Sequence, residues 1–342
     1  MSKIKLIGKL FRTVKHLKFS QIYHQVKYKL KEAKPLSQYA SKGTTIDKLS
    51  FSPLPKIKKV FSKNKEGYHF HFLNLSTTFK KKVDWNYDEH GKLWNYNLQY
   101  VDFLRQEDLS PEIRAALLQD LYDNLWNGTL ALEPYPVSLR VMNTIRFLST
   151  HDVNERLVEC LKSELVYLNK NLEYHILGNH LLENSFALLM GGYFFKEKDW
   201  IAKASKLLKV QLSEQTLNDG AHFELSPMYH QIIFFRVLEA IDFLPKENGL
   251  AHFLSGIAGR MHTWLRSISF SNGNIPHLND SSDGIAFTSN ELFSFADDLQ
   301  INEIKQEQMK DSGYRKYFAG ELELVTDVNG IAPSYQPGHA HA

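Results

Sequence analysis

Four short stretches concentrate groups able to move protons or hold charge. In GNHLLENSFALLMGGYFF (178–195), Gly178 and Asn179 mark a helix start, and His180 and Glu183 fall three apart on one helical face, with Asn184 a turn beyond His180. His-x-x-Glu at that spacing suits a metal pair or a catalytic pair, and equally a capped helix with a solvated polar side. In DGAHFELSPMYHQ (219–231), Asp219-Gly220 is a turn signal and Ser226-Pro227 a helix cap followed by the first helical residue. Glu224, Tyr229 and His230 crowd that boundary. A tyrosine there can pass a proton if nearby charge lowers its pKa from about 10; a packing role competes with this. IPHLNDSSDG (275–284) is a polar turn with His277, Asp280 and Asp283, placed to line or cap a cleft. The chain ends in GHAHA, where an extended backbone would put His339 and His341 on one face, as in His-x-His metal sites. Two imidazoles do not fill a zinc sphere, so further ligands would have to come from elsewhere.

The elements that must position these groups are helical. SPEIRAALLQDLYDNLWNG opens with Ser110 as cap and Pro111 at the first helical position, repeats its apolar residues at 3, 4 spacing, and stops at Gly128. Similar segments follow at about 136–149, 153–171, 179–195, 198–213, 226–244 and 249–269. Short connections favour antiparallel neighbours, so a bundle, a solenoid or a closed ring of helical hairpins is expected. No fixed-period repeat is visible. Only 316–330, with apolar residues at Leu322, Leu324 and Val325, is expected to be β-structure. Residues 51–105 are aromatic and irregular, suiting a packed segment or a carbohydrate-facing wall.

Of the 342 residues, 43% are hydrophobic and 23% charged, the balance of a globular chain. A single cysteine, Cys160, excludes an intrachain disulfide and a cysteine metal cluster, and its neighbours place it in a helix core. The net charge of +3 conceals an asymmetry: residues 1–65 hold 17 Lys or Arg against Glu32 and Asp47, a balance of +15, which leaves −12 for the rest. Such an arm could meet an anionic membrane, a nucleic acid or an acidic polymer, or be a solvated lead-in. No recognition motif accompanies it, which argues against nucleic acid. No apolar run suits a signal peptide or a membrane span, so the cytoplasm or the cytoplasmic membrane face is the expected location.

FHFLNLSTTF, LWNYNLQYVDFL, PYPVSLRVMN, GNHLLENSFALLMGGYFF, DGAHFELSPMYHQ and YQPGHAHA together, in this order, resemble the heparinase II/III-like polysaccharide lyases over roughly residues 70–342. The resemblance implies a mainly α fold: an incomplete (α/α) toroid, followed by the first strands of a truncated antiparallel β-sandwich. The corresponding domains are a basic arm (1–65), the toroid (66–312) and the start of the sandwich (313–342). It also implies β-elimination on a uronic-acid polymer and an anionic polysaccharide substrate. A member of this class with a basic arm and without an export signal is expected to work in exopolysaccharide or capsule metabolism.

The same resemblance assigns roles. Asn179 and His180 match residues that neutralise the uronate carboxylate, Glu183 an acidic neighbour, Tyr229 the proton-transfer tyrosine and His339 the sandwich histidine that completes the site. His341 matches a ligand of a structural zinc whose other ligands would lie beyond Ala342. Glu224, Tyr135, Arg140 and Asn143 are further candidates for substrate binding, with helix packing as the competing role. Lyases of this class that degrade polymers are exported, which keeps a periplasmic location open. Two other functions remain: a non-catalytic carbohydrate-binding scaffold in polysaccharide biosynthesis, and a toroid glycoside hydrolase using Glu183 with Glu224 or Asp280 with Asp283.

Overall fold

The computed structural model describes residues 16–41, 45–152, 154–304 and 310–328. It divides into two compact units: unit 1 comprises Met1–Lys31, Tyr174–Leu181 and Leu208–Ala342, and unit 2 comprises Glu32–Glu173 and Leu182–Leu207. The helices are α1 (Phe19–Lys29), α2 (Lys92–Tyr100), α3 (Pro111–Asn127), α4 (Pro134–Thr150), α5 (Glu155–Lys170), α6 (Gly178–Phe194), α7 (Lys198–Gln215), α8 (Pro227–Phe243), α9 (Gly249–Ile268) and α10 (Ser289–Asp298). The strands are β1 (Phe61–Asn64), β2 (Gly67–Phe72), β3 (Leu75–Phe79), β4 (Tyr314–Ala319) and β5 (Leu322–Asp327). The mainly helical class is as expected from the 3, 4 periodicity.

Unit 2 begins with a correction. Residues 61–79, expected to be irregular, form an antiparallel meander in the order β1-β2-β3, with Phe61 opposite Phe70 and Phe72 opposite Leu75. The second turn is Leu73-Asn74, both left-handed at φ 52° and 62°. A leucine rarely opens such a turn, so the usual Asn-Gly hairpin signal is missing. Phe70 packs on Phe61 with ring centroids 4.8 Å apart, and Phe72 meets Trp94 of α2 at 5.2 Å. Gln106 seals the start of β1, accepting from Val60 and Phe61 N–H at 2.9 and 2.8 Å and donating to the Phe61 carbonyl at 3.1 Å.

The helices of unit 2 start and stop where local chemistry directs. Ser110 Oγ accepts from Ile113 N–H at 3.4 Å, Pro111 opens α3, and Gly128 ends it at φ 78°. Asn154 caps α5 by accepting from Arg156 N–H at 2.9 Å. α4 packs on both α2 and α5 and buries apolar and polar residues alike. Cys160 of α5 is buried, and desolvation pushes its thiol up to about 12.

In unit 1, α8 and α9 pack along their lengths, joined by a short loop, and α10 packs on α8. The expected β-structure at 316–330 is a hairpin in which Tyr314 of β4 pairs with Asp327 of β5. Tyr314 is fully buried among Ala221, Leu225, Trp264 and Ile268, and its hydroxyl donates to the Leu225 carbonyl at 2.6 Å. His339 and His341 lie outside the described residues.

Candidate functional site

The start of α6 carries two of the candidates. Leu177 and Gly178 are both left-handed, at φ 67° and 52°, and they turn the chain sharply into the helix. Asn179 is 8% exposed and His180 is half-buried in that first turn. Neither can shift without moving this turn, which is fixed from within unit 1: Gln215 at the end of α7 donates to the Gly178 carbonyl at 3.2 Å.

Gln215 is one member of a longer relay. His222 Nε2 lies 3.2 Å from Gln215 Oε1, and His230 Nδ1 accepts from the His222 backbone N–H at 3.2 Å. His230 Nε2 in turn lies 3.0 Å from the Met261 carbonyl of α9. These partners set the tautomers. An acceptor at Nδ1 and a carbonyl at Nε2 require a neutral His230 with its proton on Nε2. Burial, then the neighbouring His222, lowers its pKa to about 3. The Gln215 oxygen likewise calls for a proton on His222 Nε2. The relay thus joins the turn bearing Asn179 and His180 to the start of α8, which bears Tyr229.

The start of α8 is built to the same standard. Leu225 is left-handed at φ 58°, and Ser226 Oγ accepts from Tyr229 N–H at 3.2 Å as the helix cap. Ser281 Oγ lies 2.9 Å from Ser226 Oγ and accepts from Met228 N–H at 3.2 Å, so the 279–282 loop closes over the helix start. Asn279 and Asp280 are both left-handed, at φ 50° and 54°, which brings the loop close. Tyr229 itself is half-buried. Burial, followed by the charges of Asp280 and Glu224, raises its phenol to about 12. The condition of a lowered pKa is therefore not met: both neighbours are anions, which disfavour the phenolate. At neutral pH Tyr229 is a proton donor.

The remaining candidates separate. Glu224 is 1% exposed beside Tyr229 in unit 1. His277 and Asp283 pair with each other at 3.0 Å on the surface, which engages one carboxylate of the hydrolase pair suggested by Asp280 and Asp283. In unit 2, Glu183 is also 1% exposed; burial first, then Tyr135, Asp102 and Glu183, raise the Tyr100 phenol. Tyr135 is half-buried, edge-on to Tyr100 at 6.1 Å.

Of the two roles left open for Arg140 and Asn143, their contacts are those of helix packing. Arg140 is fully buried, with Nε 2.7 Å from Glu164 Oε1, while its Nη1 donates to the Gln99 carbonyl at 2.9 Å. Tyr122 completes the cluster by donating to Glu164 at 2.9 Å. Asn143 donates to the Tyr100 carbonyl at 2.9 Å and to Asp102 at 2.8 Å. Together they satisfy the last carbonyls of α2, where Val101 turns left-handed at φ 57° and no glycine is available to cap the helix. Asn184 is similarly structural, bridging Glu173 and Ser138. Gln215, His222 and Ser281 were not singled out in the sequence. No local pattern identifies Gln215.

Among the described residues no three His, Cys, Asp or Glu converge as metal ligands. The zinc implied by the resemblance would be held through His341, outside those residues.

Residues 137–299 match the family model described as the heparinase II/III N-terminus. A heparin-sulfate lyase of Bacteroides stercoris is 26% identical over 201 residues, covering 54% of this chain and 30% of that protein. The crystal structure of heparinase III superposes with a TM-score of 0.57 at 16% identity, over 88% of this chain and 57% of the other. A heparan sulfate lyase of Pedobacter heparinus gives 0.52 at 16%, over 94% and 57%. These two likenesses show the fold, that of the heparinase toroids. The chain spans less than a third of the curated relative and a little over half of each structure. Residues 137–299 thus resemble the heparinase II/III N-terminus, and the fold is that of the heparinase structures.

Proposed function

We propose that the chain contributes the toroid side of a polysaccharide lyase that cleaves a uronic-acid-containing, anionic polymer by β-elimination. The observation that carries this reading is the hydrogen-bonded relay from Met261 through His230, His222 and Gln215 to Gly178. It ties the elements of Asn179, His180 and Tyr229 together without using any of those three side chains. Such support is what a site needing fixed geometry requires.

In this mechanism Asn179 and His180 face the uronate carboxylate at the N-terminus of α6, where the helix dipole also favours an anion. Neutralising that carboxylate makes the adjacent C5 proton removable. A base takes the proton, and its electron pair forms the C4–C5 double bond. The C4–O4 bond breaks with its own pair, and the leaving oxygen takes the proton of Tyr229. The raised phenol pKa supports the donor role for Tyr229. With Tyr229 as the donor, the base in this proposal is His339, the residue that the resemblance gives only as completing the site. No water is consumed.

The test is incubation with alginate, heparan sulfate, hyaluronan and bacterial exopolysaccharide or capsule, following the ultraviolet absorbance of the unsaturated uronate. Absorbance that grows with one polymer and is lost in Tyr229→Phe is expected. Reducing ends without absorbance would replace elimination by hydrolysis, and no product from any uronate polymer would favour a binding scaffold.

A further inference from the structure

α1 is amphipathic in the inverse sense. Its polar and aromatic side packs within unit 1: Gln21 is 2% exposed and donates to the Ile176 carbonyl at 3.3 Å, and Lys18 pairs with Glu214. His24 stacks on Tyr174 at 4.8 Å, and Tyr28 on His175 at 4.4 Å. The other side presents Phe19, Tyr23, Val26 and Leu30 to solvent, at 84%, 58%, 55% and 80% exposure. Their spacing of 4, 3 and 4 makes a single stripe along the helix. Lys27 and Lys29 lie in the last turn beside it. Residues 1–31 hold nine Lys or Arg and no Asp or Glu.

We infer that this face of α1 docks the protein onto an anionic lipid surface. An apolar stripe with aromatic members, flanked by lysines on a short helix, is the pattern of a helix lying in the membrane interface. Two observations select lipid over other occupants. Phe19, Val26 and Leu30 offer no hydrogen bond to a sugar, so a polysaccharide would leave much of the stripe unused. A second copy docked on this face would set two segments, each with nine Lys or Arg and no Asp or Glu over residues 1–31, against each other's like charge. No described helix is long and apolar enough to cross a membrane, so the contact is peripheral. The opposite side of α1 holds Tyr174, His175 and Ile176, just before Asn179, so the docked helix would support the segment entering the proposed site.

The test is co-sedimentation of the full chain with phosphatidylcholine vesicles, with and without phosphatidylglycerol. Binding is expected only with the anionic lipid and should weaken with salt. Phe19→Ser with Leu30→Ser, both at exposed positions, should lower it at least about tenfold. Lys27→Gln with Lys29→Gln should lower it about 25-fold, from about fivefold per lysine. Absence of binding to anionic vesicles overturns the inference, as does binding that survives both double variants. Two results would name another occupant in the absence of vesicle binding. Retention by a soluble anionic polysaccharide that only the lysine variant abolishes assigns the arm to a polymer. A lipid-free dimer that the apolar variant dissociates assigns the stripe to self-contact.

Discussion

Replacing His230 by Phe keeps an aromatic ring beside Trp264, whose centroid lies 4.5 Å away, but removes both hydrogen bonds of the imidazole. The His222 N–H loses its acceptor in a buried setting, at a cost of about 1–3 kcal/mol. The Met261 carbonyl, inside α9, keeps its helical partner and loses less, so the total is about 2–4 kcal/mol at neutral pH. Acid should narrow this gap. Unfolded histidine titrates near 6.5, whereas His230 is lowered to about 3 in the fold. Between those values the unfolded chain binds the extra proton, so the wild type loses stability as pH falls. From pH 7.5 to 5 that loss is about 2 kcal/mol, and the Phe variant does not share it. Urea unfolding followed by tryptophan fluorescence at the two pH values reads the difference directly. A gap that is equal at both would refute a neutral, doubly bonded His230.

Removing Arg140 should cost more than any exposed pair: Arg140→Met leaves Glu164 buried without its cation, for a loss of about 3–5 kcal/mol in chemical denaturation. Adding Glu164→Leu should recover much of that loss, and a double variant less stable than the single would contradict the pairing. Gly220 and Gly91 both have positive φ, 88° and 84°, but a Cβ on Gly220 would meet the Arg260 carbonyl at 2.2 Å while one on Gly91 meets nothing within 4 Å. Gly91→Ala should therefore cost only about 1 kcal/mol, the left-handed penalty, and Gly220→Ala clearly more, by thermal melting. The Cys160 thiol, buried and pushed up to about 12, should resist a thiol-specific reagent in the folded protein and react fully in denaturant.

Much of the helical frame is legible in the sequence because its ends are marked locally. Ser110-Pro111, Gly128, Asn154 and Ser226-Pro227 all act as starts or stops where their types suggest. The meander at 61–79 is not, because its tight turn is Leu73-Asn74 and its aromatic strands resemble a packed loop. The candidate site divides in the same way. Asn179, His180 and Tyr229 stand at helix starts that sequence can locate, while Gln215 and Ser281 act through contacts made only after folding. For Arg140 and Asn143 the sequence left substrate binding and helix packing open, because a buried cation and a buried amide look the same in sequence whether they serve a substrate or the ends of a helix.

The central claim is elimination with Tyr229 as proton donor. Its most direct test is mass analysis of the cleavage products formed in heavy-oxygen water, with the wild type and Tyr229→Phe compared. The account predicts wild-type products carrying an unsaturated terminal sugar, no solvent oxygen incorporated, and no cleavage by Tyr229→Phe. Products that contain solvent oxygen, or undiminished elimination by Tyr229→Phe, would contradict it.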